Sequence, residues 1–268
     1  MVIDMPAEAL KVAISSQKGG VAKTTTCVSL GASLAEQGNS VLMVDMDPQA
    51  HLTRALGIDP DGLRRTVGDV LLYQTNLVEV SRETHLVNLD VVPANRGLIL
   101  VEKLLYESKG FEYRIRTGLE ALKGQYYEFI LFDCPPSFGP LTLNALTAAD
   151  IAVIPITCDY FSAQSLQVYL RLLGILRRNS NPDLEHRLLV TMFDGRTRLS
   201  RLMLEQYRLR YDSALFQTII PIDNKLREST VFSRPITEFA TNARSALGYR
   251  ALARELMTCQ KRTTLRIG

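Results

Sequence analysis

The sequence predicts an α/β fold, a mostly parallel twisted sheet covered by helices on both faces. Three observations carry this. Short apolar runs alternate along the chain with longer helical patterns. Several runs are apolar at successive positions, as strands buried on both faces are. The first run also ends in a Gly-Gly turn that leads directly into a helix, which is where a phosphate-binding loop would sit.

The strand-like runs are 11–16, 41–46, 89–94, 129–133, 151–156, 188–193 and 215–220. Helical patterns fall between them at 23–37, 95–107, 113–122, 140–148, 161–178 and 198–210, and a last one at 243–257 closes the fold. Strand alternating with helix implies parallel pairing through crossovers. With no repeats and no Gly/Ser-rich linker, the 268 residues read as one domain, with a short N-terminal extension (1–10) and a short basic tail (258–268). A chain of this length buries about three quarters of its unfolded surface and needs no disulfide staples. The four cysteines are widely spaced without a C-x-x-C pair, which fits a reducing compartment and argues against structural zinc. The N-terminus lacks the basic region of a signal peptide, and no apolar run is long enough to span a bilayer. A cytoplasmic protein is expected.

The stretch "SSQKGGVAKTTT" (15–26) follows the first strand. Successive N–H groups in such a turn, with the helix N-terminus behind them, favour an anion. Lys23 is placed to reach β- and γ-phosphates, the Thr24 hydroxyl to ligate Mg²⁺, and Thr25 to bond an α-phosphate. The strict pattern G-x-x-x-x-G-K-[ST] is broken by Gln17 and Ala22. If position 22 requires a positive φ, its Cβ costs on the order of 1 kcal/mol.

What remains, Lys18, Gly19, Gly20, Val21, Ala22, Lys23 and Thr24, resembles the deviant Walker A motif of the ParA/MinD group of P-loop NTPases. "VDMDPQAHLT" (44–53) resembles the switch I segment of ParA proteins, and "FILFDCPPS" (129–137) their Walker B and switch II segment. "LTLNALTAADIAVIPI" (141–156) and "TMFDGRT" (191–197) also match, so the resemblance runs from about Lys11 to Met257. It implies ATP and Mg²⁺ as cofactors, with Thr24 and Asp133 at the metal. Lys23 would act on its own subunit's nucleotide, and Lys18 would reach the phosphates held by a second subunit in an ATP-bound homodimer. Asp47 would orient the attacking water, and Asp45, on the same strand face, would hydrogen-bond near the loop. Met192, Asp194 and Pro221 would lie near the adenine.

Charge is uneven along the chain. From Asp194 to Gly268 there are 14 Lys/Arg and 7 Asp/Glu, against 17 and 21 in the remainder. A basic C-terminal quarter suits a polyanion. Arg198 and Arg201 on helix 198–210, with Lys225 and Arg227 in a turn after strand 215–220, are the expected DNA-binding residues. The resemblance implies a partition or positioning ATPase that coats double-stranded DNA without sequence preference. A ParB-like or other small basic protein would activate it, and it would be found on the nucleoid. With the phosphate strand starting so early, no helix-turn-helix for operator binding is expected. A MinD-like membrane-associated positioning factor is the alternative. Against it, the tail "ELMTCQKRTTLRIG" has few large apolar residues to anchor a membrane helix.

Overall fold

The computed structural model describes residues 8–120, 122 and 127–267. Residues 1–7 of the expected extension, residue 121 of the helix expected at 113–122, and Gly268 of the tail lie outside them. The chain begins with β1 (Leu10–Ile14), α1 (Lys23–Glu36), β2 (Val41–Asp45) and α2 (His51–Ala55). It continues with α3 (Val67–Tyr73), α4 (Leu77–Val80), β3 (Arg82–Glu83), β4 (Leu89–Val92), α5 (Leu98–Leu105) and α6 (Arg114–Glu120). Next come β5 (Phe129–Asp133), α7 (Pro140–Ala148), β6 (Ile151–Ile156), α8 (Tyr160–Asn179) and β7 (Glu185–Val190). The last elements are α9 (Arg198–Tyr211), α10 (Asn224–Val231), α11 (Ile236–Phe239) and α12 (Arg244–Ile267).

The sheet has seven strands in the order β3-β4-β2-β5-β1-β6-β7, parallel throughout except for β3 against β4. Alternation along each strand feeds two cores. Leu10, Val12 and Ile14 of β1 pack with Leu30 and Leu34 of α1 and with Tyr249 and Leu252 of α12. Ala13 faces the other way, into a core with Leu141 and Ala145 of α7 and Tyr169 and Leu173 of α8. α1 lies so close to the sheet that a Cβ on Gly31 would collide with Met43 Cε.

Two expected features differ. The run 215–220 forms no continuous strand: it meets β7 at an isolated Leu188–Leu215 bridge and through Phe216 N–H to Leu188 O (2.9 Å) and Ile220 N–H to Val190 O (2.9 Å). Its middle is diverted because the Glu255 carboxylate accepts from the N–H groups of Gln217 (2.7 Å) and Thr218 (3.0 Å). The expected turn holding Lys225 and Arg227 is instead α10, started by the Asp223 side chain accepting from Lys225 N. Between β2 and β4, α2, α3 and α4 had no clear apolar period to announce them. Capping chemistry fixes two of them: a Thr66–Asp69 capping box starts α3, and Asn76 caps α4.

Candidate functional site

The register of the three central strands assembles the site. β5 lies between β2 and β1, so Asp133 pairs with Asp45 on one side and with Ile14, the last residue before the loop, on the other. Three strand ends thus bring the Gly-Gly loop, the switch-like segment after β2 and the acid of β5 together. In an open parallel sheet, ligands bind beyond these carboxyl ends.

Gly20 turns the loop at φ +74° and lies exposed, as does Gly19. Ala22, the N-cap of α1, is also left-handed at φ 64°, so the position does demand the conformation a glycine takes most readily. Val21 is buried, and its carbonyl accepts from Thr191 Oγ1 (3.1 Å). Lys23, the first residue of α1, is 8% exposed and folds back so that Nζ donates to the Lys18 carbonyl (3.1 Å). Burial holds its pKa below the usual lysine range, against the opposing pull of Asp133, Cys134 and Asp47. Thr24 and Thr25 follow in the first turn, both half-buried.

Asp133 is fully buried, and neither carboxylate oxygen has a hydrogen-bond partner of good geometry among the described residues. Burial and then Asp45 push its pKa up, while the Thr24 hydroxyl and Lys23 pull it down. An orphaned buried carboxylate beside a threonine hydroxyl fits a hard cation with oxygen ligands. Asp45 differs. Its carboxylate accepts from Asp47 N (3.1 Å), Thr53 N (2.9 Å) and Thr53 Oγ1 (2.7 Å), so it braces the segment after β2. Burial nonetheless raises its pKa to about 6. Asp47, 8% exposed, has Oδ1 held by Gln49 N–H (2.8 Å).

Beside the loop is a cavity of about 240 Å³. Gly20, Ala22 and Thr25 of the loop line it together with Met192 and Pro221, two of the residues expected near the adenine. Thr191, Asp223, Arg227, Thr230 and Tyr249 are also in its lining and were not expected there. Met192, two residues past the end of β7, has a left-handed backbone, φ 51°. Asp194 is not in this lining. Its carboxylate is taken by Arg196, with Nε and Nη2 both at 2.8 Å, and that pairing lowers its pKa to about 2. The signal for Asp223 was available in the sequence, as an N-cap Asp two residues after Pro221. Tyr249 comes from a distant helix and carried no local signal.

Lys18 does not point at this cavity. Its Nζ donates to Asp159 (2.9 and 2.8 Å) and Thr157 Oγ1 (3.3 Å) at the start of α8. The same side of α8 exposes Phe161 and Val168, which with Gln17 line an open groove next to the loop. Of the expected DNA-binding residues, Arg198 and Arg201 lie exposed on α9, and Lys225 pairs with Glu228 (2.8 Å).

A phosphate loop of this form, flanked by buried aspartates at parallel strand ends, defines a P-loop nucleotide-binding protein. Residues 9–186 match the family described as "AAA domain". The chain is 39% identical over 246 residues to the sporulation initiation inhibitor protein Soj of Bacillus subtilis, covering 91% of this chain and 97% of that one. It is 38% identical over 247 residues to the chromosome partitioning protein ParA of Myxococcus xanthus, covering 92% and 87%. The chain belongs to the ParA/Soj family of partition ATPases. Among solved structures, cobyrinic acid a,c-diamide synthase from Mycobacterium smegmatis, with bound ATP analogue and magnesium, superposes with a TM-score of 0.83. It is 35% identical, over 95% of this chain and 96% of that one. The septum site-determining protein MinD of Pyrococcus horikoshii, complexed with Mg-ADP, shares the fold at 23% identity, TM-score 0.73, over 93% and 96%.

Proposed function

We propose that this chain is a single-domain, Mg²⁺-dependent ATPase that dimerises around ATP. The dimer would bind duplex DNA without sequence preference and release it after hydrolysis, thereby positioning a DNA or protein cargo. The observation that carries the reading is the meeting of Lys23, Thr24 and the unpartnered Asp133 at the mouth of a left-handed phosphate loop.

In this reading the loop N–H groups and Lys23 hold the β- and γ-phosphates, and α1 presents its N-terminus to them. Thr24 and Asp133 would hold Mg²⁺, which when bound neutralises phosphate charge. Asp47 orients the attacking water: Gln49 N–H fixes Oδ1, leaving Oδ2 to accept the water's proton. Met192 and Pro221 form the apolar slot for adenine. Lys18 leaves Asp159 and reaches the phosphates of the facing subunit, so that ATP becomes part of the interface. The exposed apolar residues of α8 beside the loop give that interface something to bury. Asp159 and the loop then sit at one face, and the basic α9 doubles across the dimer. A ParB-like or other small basic partner would stimulate turnover, and DNA binding would hold the protein on the nucleoid. No described helix is long and apolar enough to cross a membrane.

The deciding experiment is co-sedimentation with plasmid DNA and, separately, with anionic liposomes, in ATP, ADP or no nucleotide. ATP-dependent pelleting with DNA is expected. Pelleting with liposomes alone would favour a MinD-like factor. ATP-dependent glutamine amidation of a carboxylate substrate, with no DNA binding, would favour a synthase.

A further inference from the structure

Sequence pattern groups Arg227 with the DNA-facing charges, and in the fold it lies exposed on α10 and also lines a cavity. Leu226, Arg227 and Thr230 of α10 line one cavity, the one that Gly20, Ala22 and Thr25 also line. Thr230 lies four residues after Leu226 and three after Arg227, so it neighbours both on the helix surface. Lys225, on another face, is occupied by Glu228.

Among the described residues Arg227 has no ion pair or hydrogen bond, although it shares the wall with the acid Asp223. Asp223 is already engaged, accepting from Lys225 N (3.0 Å), Ser245 N (3.2 Å) and Ser245 Oγ (3.0 Å). Arg227 is also the only cation in the lining of this cavity among the described residues. The phosphate end has its own cation in Lys23. Arg227 comes from α10, the helix that follows Pro221 and Ile222. A planar cation in the same lining as Met192 and Pro221 suits a flat aromatic ligand, because guanidinium stacks on π-faces and an ammonium does so less well.

We infer that Arg227 is a nucleotide-binding residue, its guanidinium closing over the purine held against Met192 and Pro221, and not part of the DNA-binding face. The inference rests on the nucleotide reading proposed above. It links α10 to the nucleotide, so that base binding orders the helix that also carries Lys225.

The test is binding of ATP, ADP and inorganic tripolyphosphate to the full chain and to Arg227→Ala and Arg227→Lys, by calorimetry. Loss of one stacked cation should weaken ATP and ADP by the same factor, about fivefold. Arg227→Lys should recover only part of this, and tripolyphosphate affinity should stay at the wild-type value. DNA anisotropy at saturating, slowly hydrolysed ATP analogue should give the wild-type salt slope. Unchanged nucleotide affinity with a flatter salt slope would return Arg227 to the DNA face and overturn the inference. So would a loss shared by tripolyphosphate, which would mean a phosphate contact. A wild-type chain that binds neither ATP nor ADP overturns the nucleotide reading itself, and this inference with it.

Discussion

Lys18 and Asp159 are joined within one chain: the ammonium lies 2.9 and 2.8 Å from the two carboxylate oxygens. Asp159 also caps α8, accepting from Ser162 N (2.9 Å). Burial would raise its pKa, but the hydrogen bonds from Lys18, Thr157 and Ser162 outweigh that and hold it below the usual carboxylate range. Both side chains are about a third exposed, at 28% and 37%. A pair so placed is worth at most about 1 kcal/mol, so it can be exchanged for a nucleotide phosphate.

That exchange gives the first prediction. Asp159→Asn keeps an oxygen for the helix cap but weakens the hold on Lys18. The ATP-bound dimer should then form at a protein concentration lower by up to about fivefold. Lys18→Ala should bind ATP and stay monomeric. Analytical ultracentrifugation with a slowly hydrolysed analogue measures both. A Lys18→Ala protein that dimerises normally would remove the trans role.

Asp47→Ala should bind ATP with little change, dimerise, and remain trapped on DNA, while turnover falls by about 10²-fold or more. A group that acts mainly in the transition state affects kcat far more than ground-state affinity. Phosphate release under saturating ATP gives the answer, and a normal rate would exclude the role.

Most of the sheet was legible because its strands are buried on both faces and read as plain apolar runs. β5 matched residue for residue, and β6 likewise. Position 215–220 failed for a reason invisible locally: Glu255, some 37 residues away, takes the N–H groups of Gln217 and Thr218. The phosphate loop and its aspartates were legible because each sits at a strand end. Part of the cavity lining was not, since Arg227 and Tyr249 come from helices whose placement depends on tertiary packing. Asp194 read as a pocket residue, but its neighbour Arg196 supplies a closer partner.

Ala22 carries a Cβ in the left-handed region, φ 64°. Ala22→Gly should relieve it and raise stability by about 1 kcal/mol. For a chain of this size that is roughly 2–4 °C in Tm. Differential scanning calorimetry of the nucleotide-free protein checks it. A lower Tm would mean that the methyl group packs usefully enough to offset its strain.

Asp45 makes stability depend on pH in an unusual direction. Burial raises its carboxyl pKa to about 6, above the ordinary aspartate value of 3.8. Between those values the folded protein binds the proton and the unfolded chain does not, so this group's contribution falls as pH rises from 4 to 6. Asp45→Asn loses hydrogen bonds to Thr53 and Asp47 and should be less stable at every pH. Its deficit relative to wild type should shrink by on the order of 2–3 kcal/mol across that window. Urea unfolding of both proteins from pH 4 to 7 tests this; parallel curves would show that Asp45 titrates normally.

The proposed DNA face takes in α9 and Lys225, and their surroundings suggest an order among them. Arg198 is exposed at the start of α9. Arg201 donates to the carbonyls of Gly195 (2.7 Å) and Arg196 (3.2 Å), which fix its position without neutralising it. Lys225 is offset by Glu228 at 2.8 Å. Contacts made to phosphate alone give binding to any duplex, with log K falling by about 0.9 per log unit of salt for each phosphate neutralised. Arg198→Ala with Arg201→Ala should therefore weaken every sequence equally and flatten the slope, twice over in a dimer. Lys225→Ala should do less, because Glu228 already offsets part of its charge. Glu228→Gln should do the opposite of both, strengthening DNA binding and steepening the slope, since it frees Lys225. Fluorescence anisotropy at several salt concentrations with ATP-loaded protein separates these cases. If Glu228→Gln leaves affinity unchanged and the α9 double variant does too, the polyanion surface is not on this side of the molecule.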